Sequence, residues 1–371
     1  MTSRAVHQLL HTLSYGDAIS GEALALQRCL RELGYESEIF AINVHPHYKK
    51  GGSERLGIRD YRAFPTTFDG EAILHYSLGS PLNDLYRSLR RAKRSLIYHN
   101  LTPAKWFRGV NPRIVADIEH GMAELPELCR ISDRLLADSA FNASELHGFS
   151  GSTQVLELPV DPERWVVQRN EGIYSLVKSN PGIHVVHIGR LAPNKCVEDV
   201  IKSFYFLHHY IDKRSRLWLS GIDIDTEIYS FALKRLSHEL GLDDAITFAG
   251  CLADSELKAL YEAGSVYCCM SEHEGFCLPV VEAMYFGMPV VAYASSALPA
   301  TVGKGGVLVT EKRHPEIAEL LAEVAKDGAL RARLVAAGKE RVSALSYENF
   351  AVKVRGIFTA SSQLLSSTAS G

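Results

Sequence analysis

The stretch from Val266 to Tyr293, VYCCMSEHEGFCLPVVEAMYFGMPVVAY, constrains this chain more than any other. Val266 to Met270 is an apolar run that reads as a buried parallel strand. A polar loop follows from Ser271 to Phe276. Pro279 then stands where a first helical residue would, with its φ already helical and its missing N–H costing nothing. The helix runs to about Phe286, Gly287 stops it, Pro289 prevents its return, and Val290 to Tyr293 is the next strand. The unit is β–loop–α–β. Its loop opens at the carboxyl end of a strand, where open α/β sheets bind ligands.

Two carboxylates flank this turn, Glu274 in the loop and Glu282 one turn into the helix. Val280, Val281, Ala283, Met284, Tyr285 and Phe286 leave that helix no polar face, so a carboxylate at position 282 is costly unless something hydrogen-bonds it. Two readings stay open. One is favourable placement near a helix N-terminus, where the dipole welcomes an anion. The other is acceptance of hydrogen bonds from vicinal ribose hydroxyls, as acidic residues do in dinucleotide-binding folds. The N–H groups of Phe276, Cys277 and Leu278 face the same crevice, ready for phosphate or sugar oxygens.

In the setting EGFCLPVVEAMYFGMPVV, the Glu-x7-Glu pattern from Glu274 to Glu282 resembles the retaining glycosyltransferases of family 4, with Gly275, Phe276, Leu278, Pro279, Ala283, Gly287 and Pro289 in place. The resemblance covers most of the chain and is strongest from about His184 to Val309. It implies an α/β chain of GT-B architecture, with two facing Rossmann-like domains and a deep interdomain cleft. An acceptor-side domain is expected over 1–165, joined by a C-terminal crossing helix at 347–365, and a nucleotide-sugar domain over 166–346. The 161–182 segment reads as their connection. A length of 371 residues fits two domains better than one core.

Further candidates lie at other strand ends. Arg190 and Lys195, in HVVHIGRLAPNKCVEDV, are two loop cations near a helix start that suit a pyrophosphate, or else are solvated; GR-x4-K matches the family's diphosphate motif, although Cys196 stands where the family commonly has Gly. Val6 to Leu13 reads as the first strand, and Leu24, Leu26, Leu30 and Leu33 mark a helix ending at Gly34. Between them Gly16 lets backbone N–H groups approach an anion. That loop is not G-x-G-x-x-G, which argues against a nicotinamide dehydrogenase, and the resemblance sets it against the donor diphosphate or the acceptor. His99 ends the strand from Leu96, facing the crevice between domains. A lone histidine is more often structural, but this position favours function, and the resemblance brings it to the transferred sugar and the acceptor. Asn100 and Thr102 are read as orienting His99 or the acceptor. Ser139 and Asn142 are helix caps or acceptor contacts, with capping preferred. By resemblance, Glu274 grips sugar hydroxyls with the Gly275 and following amides, and Gly250, Cys251 and Leu252 offer backbone groups to the base.

Other features read as structure. The 44–70 segment is a basic loop centred on Gly51-Gly52, with His45 and His47 as solvated side chains. Leu85 to Ser95 reads as a basic helix, either a solvated face or a contact with anionic lipid headgroups. Asp223-Ile-Asp225 suggests the metal motif of another glycosyltransferase fold, but Asp225 is placed as a helix cap, so no metal and no cofactor are expected. A formal net charge of −3 argues against general nucleic-acid binding. Seven scattered cysteines fit a reducing compartment. MTSRAVHQLLHTLSYGD lacks the apolar core of a signal peptide, and no apolar run is long enough to span a bilayer. The small, polar C-terminus reads as a frayed tail. A cytoplasmic protein follows, with peripheral contact at the inner membrane face as a further expectation; oligomeric state stays open.

The function this implies is transfer of a hexose from a nucleotide-diphosphate sugar, UDP-glucose first and GDP-mannose next, to a glycan, lipid-linked or small-molecule acceptor with retention. A GT-B sugar-nucleotide epimerase and a non-catalytic sugar-nucleotide-binding subunit are the alternatives.

Overall fold

The computed structural model describes residues 5–50, 52–149 and 152–368, with side chains as far as residue 359. Gly51 and the end of the polar tail lie outside the described residues. The chain divides into two compact units, one of Met1–Leu101, Ala116–Pro159 and Leu345–Gly371, the other of Thr102–Val115 and Val160–Ala344.

Short apolar runs alternate with helices in both units, a pattern that builds parallel sheets covered on both faces. Unit 1 contributes β1 (Val6–Leu13), β2 (Ile39–Val44), β3 (Ile58–Asp60), β4 (Glu71–Tyr76), β5 (Lys93–Tyr98), β6 (Arg134–Ala137) and β7 (Thr153–Val155). They pair in the order β3-β2-β1-β4-β5-β6-β7. Unit 2 contributes β8 (His184–Ile188), β9 (Arg216–Ser220), β10 (Ile246–Gly250), β11 (Val266–Cys269), β12 (Val290–Tyr293) and β13 (Gly306–Val309), in the order β10-β9-β8-β11-β12-β13. Every pairing between these strands is parallel. Each sheet starts at its middle, winds outward one way and then restarts in the other direction, which is the Rossmann-like order. In unit 2, Val185, Leu217, Leu219, Val266 and Cys268 pack with Val200, Ile201 and Phe204 of the helix Val197–Phe206 and with Leu321 of the helix His314–Lys326.

The last helix, Tyr347–Thr368, leaves the end of unit 2 and packs in unit 1. Phe350, Val354 and Phe358, one stripe at helical spacing, join Val6, Leu26, Leu30, Ile73, Ile97 and Leu136. Tyr35 donates to the Phe358 carbonyl at 3.2 Å and Arg134 to the Ile357 carbonyl at 3.1 Å.

Several segments differ from their sequence reading. The 161–182 segment is no bare connection: it holds a short turn at Glu163–Trp165 and a helix at Glu171–Ser179, which Asn170 caps by accepting from the Ile173 N–H. The 44–70 loop contains a turn of helix at Pro46–Lys50 and the edge strand β3. Leu85 to Ser95 is not one basic helix. The helix Pro81–Ser88 ends early, and Lys93 and Arg94 belong to β5. Arg87 meanwhile pairs with Asp84, Glu124 and Glu127, so that face carries acid as well as base. The helix Pro112–Ile131 has no counterpart in the sequence reading, because Pro126 sits inside it and interrupts the pattern that marks a helix. Among the described residues, no helix is long and apolar enough to cross a membrane.

Candidate functional site

In unit 2, β8 and β11 are neighbours at the point where the strand order reverses. Loops leaving the carboxyl ends of two such strands part in opposite directions and leave a crevice between them. Arg190 and Lys195 follow β8, and Glu274 follows β11. The ends of β8 and β9 are also close. A Cβ on Gly221, after β9, would overlap the Gly189 carbonyl, so these two strand ends approach as only glycine allows. The two loops then clasp each other: Asn194 Nδ2 donates to the His273 carbonyl at 3.0 Å, and the Glu272 N–H donates to the Asn194 carbonyl at 3.0 Å.

Across this clasp Lys195 Nζ donates to Glu274 Oε2 at 2.5 Å. Burial depresses the Lys195 ammonium, but the facing Glu274 carboxylate more than offsets it and raises its pKa. Arg190 Nη2 donates to the Ile224 carbonyl at 2.7 Å, while its buried Nε has no partner. Burial lowers the Arg190 pKa, with Asp225 and Glu227 pulling the other way. Cys196 adopts φ +47°, the left-handed conformation glycine favours, which is the physical reason a glycine suits this position.

The helix Leu278–Tyr285 begins one residue before Pro279, with Cys277 at its N-cap in a left-handed conformation of φ +75°. The amides expected to meet phosphate or sugar oxygens, those of Phe276, Cys277 and Leu278, lie at its N-terminal entry. The Phe276 carbonyl is held by Thr301 at 2.6 Å, which fixes the loop end beside Gly275. Glu282 is buried, and it does not lack partners. Arg164 Nη1 donates to Oε1 at 2.6 Å and the Tyr261 hydroxyl to Oε2 at 2.8 Å. Burial raises its pKa against the opposing pull of Arg164. Arg164 also binds Asp254 Oδ1 through Nε at 3.0 Å and Nη2 at 2.8 Å, so one guanidinium ties two carboxylates. The absence of a polar face on the helix is thus met from outside it, which neither sequence reading of Glu282 anticipated.

Other expectations need correction. Of the backbone groups at 250–252 expected to meet a base, the Gly250 carbonyl is occupied by the Ser220 hydroxyl at 2.9 Å and the Gly221 N–H at 2.8 Å. Cys251 is exposed and Leu252 half-buried beyond it. Asp225 does not cap the following helix. It adopts φ +65°, and the helix Glu227–Glu239 starts from Thr226, whose hydroxyl donates to the Leu191 carbonyl at 2.7 Å.

Unit 1 presents a different centre. His99 follows β5, but its side chain has no exposure at all, so it is enclosed rather than facing a crevice. Nδ1 lies 3.1 Å from Asp138 Oδ2 and 3.4 Å from Glu22 Oε2, and Nε2 lies 2.8 Å from His75 Nδ1. The network assigns the protons. Gln8 Nε2 donates to the Ala23 carbonyl, so Gln8 Oε1 accepts from His75 Nε2 at 2.7 Å. His75 Nδ1 is then an acceptor, so His99 donates from Nε2, while its Nδ1 faces the carboxyl groups of Asp138 and Glu22. Burial would lower the His99 pKa, but Asp138 and Glu22 raise it to about 8. Burial raises Glu22 to about 8, and burial together with His99 holds His75 well below its ordinary value.

Asn100, at φ +80°, directs its amide to Asn142 Oδ1 at 3.0 Å and Glu145 Oε2 at 2.7 Å. The groups that hold the His99 ring are Asp138, Glu22 and His75. Ser139 is the helix cap, accepting from the Asn142 N–H; Asn142 itself is buried inside the helix Ala140–Glu145. Thr102 groups with unit 2. Gly16, at φ +76°, precedes Asp17, which caps the helix Ala18–Glu32 through the Ser20 N–H. Glu22, His75, Asp138, Arg164 and Tyr261 were missed. Glu22 and His75 lie on elements read for their apolar periodicity, where a single polar residue is easily taken for a surface position. Arg164 lay in what read as a connection.

With this geometry in view, similarity to known proteins becomes specific. Residues 173–341 match the family model described as glycosyl transferases group 1. The matched span contains Arg190, Lys195, Glu274 and Glu282. The chain is 35% identical over 129 residues to the MMP alpha-(1->4)-mannosyltransferase of Mycolicibacterium hassiacum, covering 34% of this chain and 31% of that protein. It is 30% identical over 300 residues to the D-inositol 3-phosphate glycosyltransferase of Streptomyces avermitilis, covering 77% of this chain and 61% of that one. The chain thus spans less than two thirds of the length of these curated relatives. Among solved structures, HepE of Anabaena in complex with UDP-glucose superposes with a TM-score of 0.75 at 16% identity, over 96% of this chain and all of that one. The fold is GT-B, built from two Rossmann-like units.

Proposed function

We propose that this chain is a retaining glycosyltransferase that moves a hexose from a nucleotide-diphosphate sugar to a glycan, lipid-linked or small-molecule acceptor. The observation that carries the reading is the Lys195–Glu274 clasp beside Arg190, at the carboxyl ends of adjacent switch-point strands. A departing nucleoside diphosphate accumulates negative charge, and fixed cations at that place stabilise it without rearranging during the reaction. Arg190 and Lys195 take that role. Donor binding draws Lys195 toward phosphate and frees Glu274 for sugar hydroxyls, while the amides at 276–278, at the helix N-terminus, meet the remaining oxygens. Glu282, held by Arg164 and Tyr261, keeps lone pairs for ribose hydroxyls. His99 acts as a positioning residue in unit 1, since both its ring nitrogens are engaged.

The relative's name favours a mannosyl donor, and the family resemblance favours UDP-glucose; GDP-mannose and UDP-glucose are therefore the two donors to compare first. Lys195→Ala and Arg190→Ala should each lower turnover by about 10²–10³-fold with an unchanged circular dichroism spectrum. NMR of the product should show the donor's anomeric configuration. Near-normal turnover in both variants would overturn the assignment. Donor binding without transfer to any acceptor would favour the binding-subunit alternative.

A further inference from the structure

We propose that Cys269, Cys277 and Glu274 form a binding site for a thiolate-seeking divalent cation of the zinc class. Cys269 Sγ, Cys277 Sγ and a Glu274 carboxylate oxygen all lie within 4.8 Å of one another. A tetrahedral zinc ion with Zn–S of about 2.3 Å and Zn–O of about 2.0–2.2 Å places its ligands roughly 3.5–3.8 Å apart, so closure needs only small side-chain adjustments. The three ligands come from three fixed places: the end of β11, the loop after it, and the N-cap of the helix Leu278–Tyr285. Cys269 and Glu274 are buried, whereas Cys277 is only half-buried and leaves a route for the ion. The two thiols already hydrogen-bond each other, and Cys269 Sγ lies 3.3 Å from the Ser271 hydroxyl, a polar neighbour for a bound thiolate.

Binding balances without redox chemistry. The two thiols release two protons to solvent, two metal–sulfur bonds and one metal–oxygen bond form, and water takes the fourth position. Two thiolates, one carboxylate and a divalent ion leave one negative charge, which the adjacent Lys195 ammonium balances. The soft sulfur pair selects zinc, cadmium or cobalt over magnesium or calcium. An ion so held immobilises Glu274 and the loop that carries it, and therefore inhibits transfer. That consequence rests on the donor-site reading; the binding itself does not.

The test is titration of chelator-treated protein with Co²⁺, followed by its thiolate-to-cobalt charge-transfer absorption and d–d bands. One equivalent should bind with a tetrahedral thiolate spectrum, be displaced by Zn²⁺, and inhibit transfer. Cys269→Ser, outside the donor contacts, should keep metal-free turnover, lose the charge-transfer band and lose zinc inhibition. Cys277→Ser should also lose the band, so a folding defect in one variant does not decide the matter. Absence of the band in the wild type, or its persistence in both variants, overturns the proposal. Lys195→Ala should keep the band while losing transfer, which separates failure of this site from failure of the donor assignment.

Discussion

Glu22 and His99 form an enclosed acid–base pair whose charge state is coupled to folding. Both pKa values are raised to about 8. A raised folded-state pKa means the folded chain holds its proton more tightly than the unfolded one. For His99 the stabilisation is complete below its ordinary value of 6.5 and is lost as pH rises through about 8. For Glu22 it is complete below 4.5 and lost as pH rises through about 8. The signs agree, so unit 1 should lose stability on going from pH 6 to 9. Thermal unfolding across that range should show the loss, and Glu22→Gln should flatten it, because it removes one titration. An equally steep profile in Glu22→Gln would refute the pairing. In unit 2, Arg164 holds Glu282 and Asp254 together. Arg164→Ala strands two buried carboxylates and should cost about 3–5 kcal/mol in chemical denaturation. Arg164→Met combined with Glu282→Gln and Asp254→Asn should recover much of that loss, because no buried charge is left unpaired.

Among the elements, the helix Tyr347–Thr368 shows how an apolar stripe becomes a structural tie. Phe350, Val354 and Phe358 read as one face in the sequence, but a stripe does not say which partner it covers. Here it closes the cluster containing Val6, Leu26 and Ile73 in unit 1. Phe350→Ala should cost about 3–5 kcal/mol, with the loss appearing in the unfolding of unit 1 while nucleotide binding by unit 2 persists. A chain ending at Ser346 should expose that cluster, bind a hydrophobic dye and lose transfer; normal transfer by the shortened chain would remove the helix from the working structure. The helix Leu278–Tyr285 is the opposite case. Pro279, Gly287 and the flanking β-strand runs mark its place because backbone chemistry acts locally. What surrounds Glu282 on that helix comes from Arg164 and Tyr261, more than a hundred and about twenty residues away in sequence.

At the scale of the whole molecule, the two sheets share the order of their first six strands, yet their strand ends carry different chemistry. Unit 2 has Arg190, Lys195 and Glu274 after its switch-point strands β8 and β11, and unit 1 encloses His99 after β5. If Arg190 and Lys195 meet the diphosphate charge, as proposed, EDTA should leave most transfer intact. Complete loss restored by Mn²⁺ would instead implicate Asp223 and Asp225. Strand-by-strand alternation and the Glu274–Pro289 turn were determined by the sequence itself, since periodicity, Pro and Gly act within a few residues. The placement of Arg190, Lys195 and Glu274 was equally legible, because all three follow apolar strands in recognisable spacing. Only the tertiary structure decided that Lys195 and Glu274 are paired, that Glu282 is tied to Arg164, and that His99 is enclosed by Asp138, Glu22 and His75. Those states depend on burial and on neighbours brought together by parallel crossovers, and a linear sequence records neither the desolvation of a charge nor the group that compensates it.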